Sequence, residues 1–267
     1  MYLCDFHVHT AFSHIDCTAD PDQVCQQALE QGLKEIAFTE HHDANEVVAG
    51  SYHPFDIAGH KAAVEELRER YRGKLIIHRG VELGQPAWEE QEARRVLAQG
   101  QFDFIIGSVH SMPDVIDFYY DDFSEKDLEA HFYIYMKYLE LHSRWKGYDV
   151  CGHLPYPLTY YTKVGRHLSL DRWMDVYRTV LSNLIHNGVG IEVNTAGLRR
   201  PLNDFMPCRQ VLELYRQLGG ELITVGSDAH RPCEVGTGIR QAGELLKSLG
   251  FRWLTTYQQH SPVQHAL

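Results

Sequence analysis

Long hydrophobic runs are missing from this 267-residue sequence. A helix that crosses a bilayer needs about 20 consecutive apolar residues, and no stretch comes near that, so no membrane association is expected. The N-terminus also lacks a positively charged segment followed by a long apolar one, which argues against a secretory signal. Basic residues are scarce: 25 Lys and Arg stand against 36 Asp and Glu, a formal charge of -11. Binding to nucleic acid phosphates relies on clustered Lys and Arg, so a nucleic acid partner is not expected either. Cys4, Cys17, Cys25, Cys151, Cys208 and Cys233 are scattered and form no CxxC pair. In a chain of this size that pattern indicates reduced thiols in a cytoplasmic protein, most of them packing residues. Repeats, low-complexity tracts and Pro/Gly/Ser-rich linkers are absent as well, so the chain is read as one domain, 1–267.

What is present is a hydrophobic content of 44%, enough for a sizeable core, and 17 histidines. That is a supply of neutral nitrogen ligands that a core does not need. The first pair stands in Cys4-Asp5-Phe6-His7-Val8-His9-Thr10. Met1 to Phe6 reads as a short apolar strand, and residues two apart in a strand share a face, so His7 and His9 project together.

Along the chain, strand and helix alternate. Asp20-Pro21 has the form of an N-cap followed by Pro at the first helical position, and the Val24, Ala28, Leu29 stripe stops at Gly32. Strands are expected at 35–39, 74–81, 102–109, 148–152, 189–193 and 221–225, with one more at 251–256. Helical stripes lie between them: Val64, Leu67 and Tyr71; a polar helix near 89–98; Leu128, Phe132, Tyr135 and Leu139; Trp173 to Leu184; Val211 to Leu218; and Leu245 to Leu249. The segments 112–123 and 154–168 read as long loops. Repeated βα units of this size favour a parallel sheet, open or closed as a barrel. Open sheets concentrate polar site residues at a switch point, whereas barrels gather them from the C-terminal ends of many strands.

Here nearly every strand end carries candidates. The first gives His7 and His9, with His14 and Asp16 in its loop, and the second gives Glu40, His41, His42 and Asp43. Then follow Gly80-Val81-Glu82, Gly107-Ser108-Val109-His110, Cys151-Gly152-His153, Glu192 with Asn194, and Gly226-Ser227-Asp228-Ala229-His230. Any one of these can cap a strand or helix. Crowded at one mouth, they are costly unless cations compensate the carboxylates and occupy the nitrogen lone pairs. The set therefore points to a multinuclear metal site.

The combination of His7-x-His9, Thr39-Glu40-His41, Gly80-Val81-Glu82, Gly107-Ser108-Val109-His110, Gly152-His153 and Ser227-Asp228-Ala229-His230 resembles the PHP (polymerase and histidinol phosphatase) family across essentially the whole chain. Asn194-Thr195-Ala196-Gly197-Leu198-Arg199 and the length resemble its monofunctional histidinol-phosphate phosphatases. The resemblance implies an α/β fold, a distorted TIM-like (β/α)7 barrel with three divalent metals at its C-terminal mouth. It implies His7, His9, Glu82 and Asp228 around the first metal, Glu82, His110 and His153 around the second, and His41 and His230 around the third. The third would also take His14 or Asp16, with Asp16 preferred. A carboxylate bridging two metals, as Glu82 would, holds them roughly 3.5 to 4 Å apart, and a hydroxide between them is a nucleophile at neutral pH. A mixed His and carboxylate set suits Zn, Fe or Mn better than Mg or Ca.

The implied reaction is hydrolysis of L-histidinol phosphate in histidine biosynthesis, with Glu82, Asp228 and His42 as catalytic residues. Arg199, Arg200 and Arg166 are candidates for the phosphate, since guanidinium groups fit its oxygens. Asp114, Asp117, Asp121 and Asp122, among Phe118, Tyr119 and Tyr120, are candidates for the ammonium and imidazole. The leaving alkoxide needs a proton, from His42 or from a water on the third metal. His53, His60, His78, His131, His142, His167, His186, His260 and His265 have no ligand pattern. Two other readings stand beside this one: a phosphoesterase of the same family acting on another small phosphate ester or a nucleotide, and a non-catalytic accessory module. Oligomeric state cannot be read from the sequence.

Overall fold

The computed structural model describes residues 1–13, 16–50, 56–113, 115 and 117–267. Seven strands follow one another: β1 (Cys4–Val8), β2 (Glu35–Asp43), β3 (Ile76–Gly84), β4 (Phe104–Ser108), β5 (Val150–Cys151), β6 (Gly190–Asn194) and β7 (Ile223–Gly226). They pair in sequence order, each parallel to the next. Between them run α1 (Pro21–Glu30), α2 (Ala44–Ala49), α3 (Ile57–Arg70), α4 (Glu90–Gly100), α5 (Leu128–Arg144), α6 (Leu158–Lys163), α7 (Met174–His186), α8 (Arg209–Gln217) and, after β7, α9 (Ile239–Ser248). β1, β4, β6 and β7 are buried at every residue, as strands covered on both faces must be. α1 starts as the sequence suggests, with the Asp20 carboxylate accepting from the amides of Asp22 and Gln23 at 2.9 and 3.1 Å.

The sheet curls until its ends meet. His9 donates its backbone N–H to Ala229 O at 2.9 Å, and Asp228 donates to His7 O at 2.8 Å. The buried Asp5 carboxylate accepts from the Ser227 and Gly236 amides at 2.8 and 2.9 Å, tying β1 to the segment that follows β7. The result is a nearly closed (β/α)7 barrel. Among the described residues, no helix is long and apolar enough to cross a membrane.

Two local expectations are corrected, while the strand expected at 251–256 is present, outside the barrel. It forms an antiparallel hairpin, β8 (Trp253–Gln258) with β9 (Ser261–Ala266). Thr255 Oγ1 accepts from Ile223 N, Tyr257 donates to Asp149 O, and the His265 ring stacks on Tyr2, so the hairpin covers the N-terminal end of the barrel. The segment 154–168 is not all loop, because α6 lies within it and buries Thr159 to Thr162. β2 and β3 run farther than expected, through Asp43 and Gly84, which puts Glu40 to Asp43 and Glu82 inside strands. The two-residue strand period then decides which of them face the mouth.

Candidate metal centre

At the C-terminal mouth Glu82 is fully buried, and its two oxygens face different histidines. Oε2 lies 3.2 Å from His7 Nε2 and 3.5 Å from His9 Nε2, while Asp228 Oδ1 lies 3.4 Å from His9 Nε2 and 3.9 Å from His7 Nε2. Oε1 lies 3.0 Å from His110 Nε2 and 2.7 Å from His153 Nε2. A third set forms at the rim, where Asp16 Oδ2 is 3.2 Å from both His41 Nε2 and His230 Nε2. His14 and Asp114 lie outside the described residues.

Each set has a partner that orients it. His7 Nδ1 meets Glu192 Oε1 at 2.6 Å, His9 Nδ1 meets Ser13 Oγ at 3.1 Å, and His110 Nδ1 meets Asp43 Oδ1 at 2.8 Å. His230 Nδ1 meets Asp228 O at 3.2 Å. With Nδ1–H donated outward, a neutral imidazole presents a lone pair at Nε2. Yet Nε2 faces Nε2 at 3.1 Å for His7 and His9, 3.2 Å for His110 and His153, and 3.3 Å for His41 and His230. Glu82 Oε2 is buried and lies 2.9 Å from His41 Nδ1 without a well-aligned hydrogen bond. Facing lone pairs around a buried carboxylate are unfavourable alone and become ligands around a cation, so the donor set fits divalent metals. Backbone strain points the same way: Asp228 and His153 adopt left-handed φ values of 53° and 20°.

The electrostatics show the same frustration. Burial disfavours a charge on His7, but the Glu192, Glu82 and Asp228 carboxylates outweigh it and raise its proton affinity well above the usual. Burial and the neighbouring His41 and His230 push His9 well below it. For Glu82 the burial cost is overcome by His7, His110 and His41, which hold its carboxyl well below the ordinary range.

A cavity of about 1020 Å³ opens over the cluster. Arg199, Arg200 and Arg231 line it from the β6 and β7 side, and Glu46 and Asp117 line it from the β2 and β4 side. Arg199 Nη2 donates to Ser227 O at 2.9 Å, while its buried Nη1 has no partner among the described residues. Burial raises the Asp117 carboxyl to about 6, and burial with the Asp43 and Asp117 charges raises Glu46 to about 7. Asp121 is engaged instead by Lys126.

Two expected roles are corrected. His42 alternates with His41 along β2, faces α4 and meets Glu92 Oε1 at 3.0 Å; it is outside the cavity lining and cannot reach a leaving group there. Arg166 is also absent from that lining. Its Nη1 donates to the carbonyls of Phe123, Ser124 and Lys126 and fastens the loop before α5. Sequence reasoning missed Ser13, Glu46, Tyr156, Arg231 and Gln85, whose side chain donates to Asp43 Oδ1 at 3.0 Å and accepts from the His110 amide at 3.3 Å. Only Arg231, next to His230, carried a positional signal.

The PHP domain family model matches residues 5–196, and the chain belongs to that family. Among curated relatives, the histidinol-phosphatase of Lactococcus lactis is 26% identical over 262 residues, covering 96% of this chain and 95% of the relative. The probable histidinol-phosphatase of Deinococcus radiodurans is 28% identical over 266 residues, covering 95% and 96%. In fold, the chain is similar to the crystal structure of the Lactococcus lactis histidinol phosphate phosphatase complexed with Zn, L-histidinol and phosphate. The TM-score is 0.80 at 24% identity, with 98% of each chain covered.

Proposed function

We propose that this chain is a metal-dependent phosphomonoesterase that hydrolyses L-histidinol phosphate to L-histidinol and phosphate, a step of histidine biosynthesis. The observation that carries the reading is Glu82, one buried carboxylate turned toward His7 and His9 with one oxygen and toward His110 and His153 with the other. The full-length relatives named histidinol-phosphatase supply the substrate.

His7, His9, Glu82 and Asp228 would hold one cation, Glu82, His110 and His153 a second, and Asp16, His41 and His230 a third, with Zn, Fe or Mn the suited ions. Cations held there supply Lewis acidity toward the phosphoryl oxygens and lower the pKa of water into the neutral range. Everything else falls to side chains. Arg199 Nη1, Arg200 and Arg231 bind the phosphate oxygens and fix the ester for attack in line with the leaving oxygen. Asp117 and Glu46 receive the ammonium and imidazole. In this reading Asp228 takes the proton the attacking water loses, and its Oδ2 lies 4.0 Å from an Arg200 nitrogen. The six unpaired thiols support a reducing, cytoplasmic setting.

Phosphate release from L-histidinol phosphate and from a panel of sugar, nucleotide and simple alkyl phosphates tests the reading. A kcat/KM at least about 10²-fold above the panel is expected, the order of discrimination that paired polar contacts provide. Equal rates across the panel would remove L-histidinol phosphate as the substrate.

A further inference from the structure

With His42 turned away, no side chain is assigned to donate to the ester oxygen that leaves. We propose that the hydroxyl pair of Tyr156 and Tyr160 is the hydrogen-bond donor to that oxygen, an assignment that rests on the phosphomonoesterase reading above. Tyr156 follows β5 three residues after His153. Its ring lies 4.6 Å from the His153 ring and 4.9 Å from the His110 ring, as a roof over the second ligand set. Tyr160, one turn on in α6, donates its hydroxyl to the Tyr156 oxygen at 2.5 Å. Both residues line the cavity. In that direction the bond uses the Tyr160 proton, and the Tyr156 proton is the one left for a ligand in the cavity.

The charges around the pair locate it along the substrate. Both hydroxyls interact with the Arg200 cation and with the Asp117 carboxylate, and Tyr160 also with Asp228. Tyr156, Tyr160, Arg200 and Asp117 all line the one cavity, and in the proposed binding mode the pair falls between the end that binds phosphate and the end that binds the alcohol. The atom joining those two ends is the ester oxygen.

The chemistry needs such a donor. A phosphorus–oxygen bond forms to water and the phosphorus–ester bond breaks, leaving its electron pair on the ester oxygen. Charge grows there as the bond lengthens, so a donor already in place stabilises the transition state more than the bound ester. The Tyr156 proton stays on its oxygen, and the proton the alkoxide finally takes is one the water released. Tyr160 polarises Tyr156 and holds its hydroxyl rotor outward.

The test uses the metal-loaded enzyme and its Tyr156→Phe and Tyr160→Phe variants, with metal content per chain measured for each. Substrates are L-histidinol phosphate, whose alkoxide leaves poorly, and 4-nitrophenyl phosphate, whose phenolate needs no help. For Tyr156→Phe, kcat on the alkyl ester should fall about 10²-fold, the usual cost of one transition-state donor, and kcat on the nitrophenyl ester should stay within about 3-fold. Tyr160→Phe should move the same ratio by about 10-fold, and decides the matter if Tyr156→Phe does not fold. By calorimetry, L-histidinol should bind Tyr156→Phe more weakly while inorganic phosphate binds unchanged. Equal losses on both esters, or unaltered L-histidinol affinity, would reduce the pair to an aromatic wall and overturn the proposal. Where the wild type turns over both esters, equal losses in the variants overturn the tyrosine role alone; a wild type that turns over neither removes the phosphatase reading and this one with it.

Discussion

Glu192 Oε1 accepts the Nδ1–H of His7 at 2.6 Å, and its Oε2 accepts the backbone N–H of His153 at 2.8 Å. One β6 carboxylate thus orients members of two ligand sets. A glycine must stand beside it, because a Cβ at Gly226 would come within 2.3 Å of Glu192 Oε1. Partners of this kind fix the tautomer of a ligating histidine. Glu192→Gln should weaken divalent-metal binding by about 10- to 100-fold, measured by chelator competition. Affinity equal to wild type would show that His7 needs no such partner.

The acidic wall gives a pH-dependent KM. Glu46 and Asp117 have carboxyls raised to about 7 and about 6, so both are charged above pH 7 and take protons as pH falls through those values. A cationic substrate then loses its partners, and KM for L-histidinol phosphate should rise from pH 8 to pH 5.5. Asp117→Asn should raise KM at pH 8 by about 10-fold, the worth of one hydrogen bond to a charged group, and flatten that rise. A pH-independent wild-type KM would place the ammonium elsewhere.

Arginines near the mouth should divide into two kinds. Arg199→Ala removes a guanidinium that lines the cavity and has a buried, unpartnered Nη1 among the described residues, and should weaken inhibition by inorganic phosphate about 10-fold or more. Arg166→Ala removes bonds to three carbonyls, and should lower thermal stability while leaving phosphate inhibition unchanged. Reversed outcomes would return Arg166 to the phosphate site.

His142 makes the fold acid-sensitive. Its ring stacks on Tyr148 at 4.7 Å, and burial lowers its pKa to about 3. The unfolded chain binds this proton below about pH 6.5 and the folded chain does not, so stability is intact above that value and falls with pH toward 3. At pH 5.5 the loss from this one group is about 1.4 kcal/mol. Urea unfolding with chelator present should show that His142→Phe loses about 1.4 kcal/mol less than wild type between pH 8 and 5.5. Parallel losses would rule out His142 as a source of acid sensitivity.

The barrel was legible because its strands are continuous apolar runs separated by amphipathic stripes, and the strand-end histidines marked the mouth. Orientation was less legible. His41 and His42 are adjacent and chemically alike, and only the length of β2, carried on to Asp43, decides that one enters the cavity and the other faces Glu92. Arg166 and Arg200 likewise read as equivalent, since nothing local says that one finds three carbonyls at a loop. The Tyr156 and Tyr160 pair required α6, whose Tyr160-Tyr161-Thr162 run lacks a helical stripe and reads as loop.

The most direct test of Glu82 as the shared carboxylate is metal stoichiometry after reconstituting metal-free protein and its Glu82→Ala variant. Three divalent ions per chain are expected in the wild type. The variant should retain one, held by Asp16, His41 and His230, and no phosphatase activity. Three ions in the variant, or fewer than two in the wild type, would contradict the account.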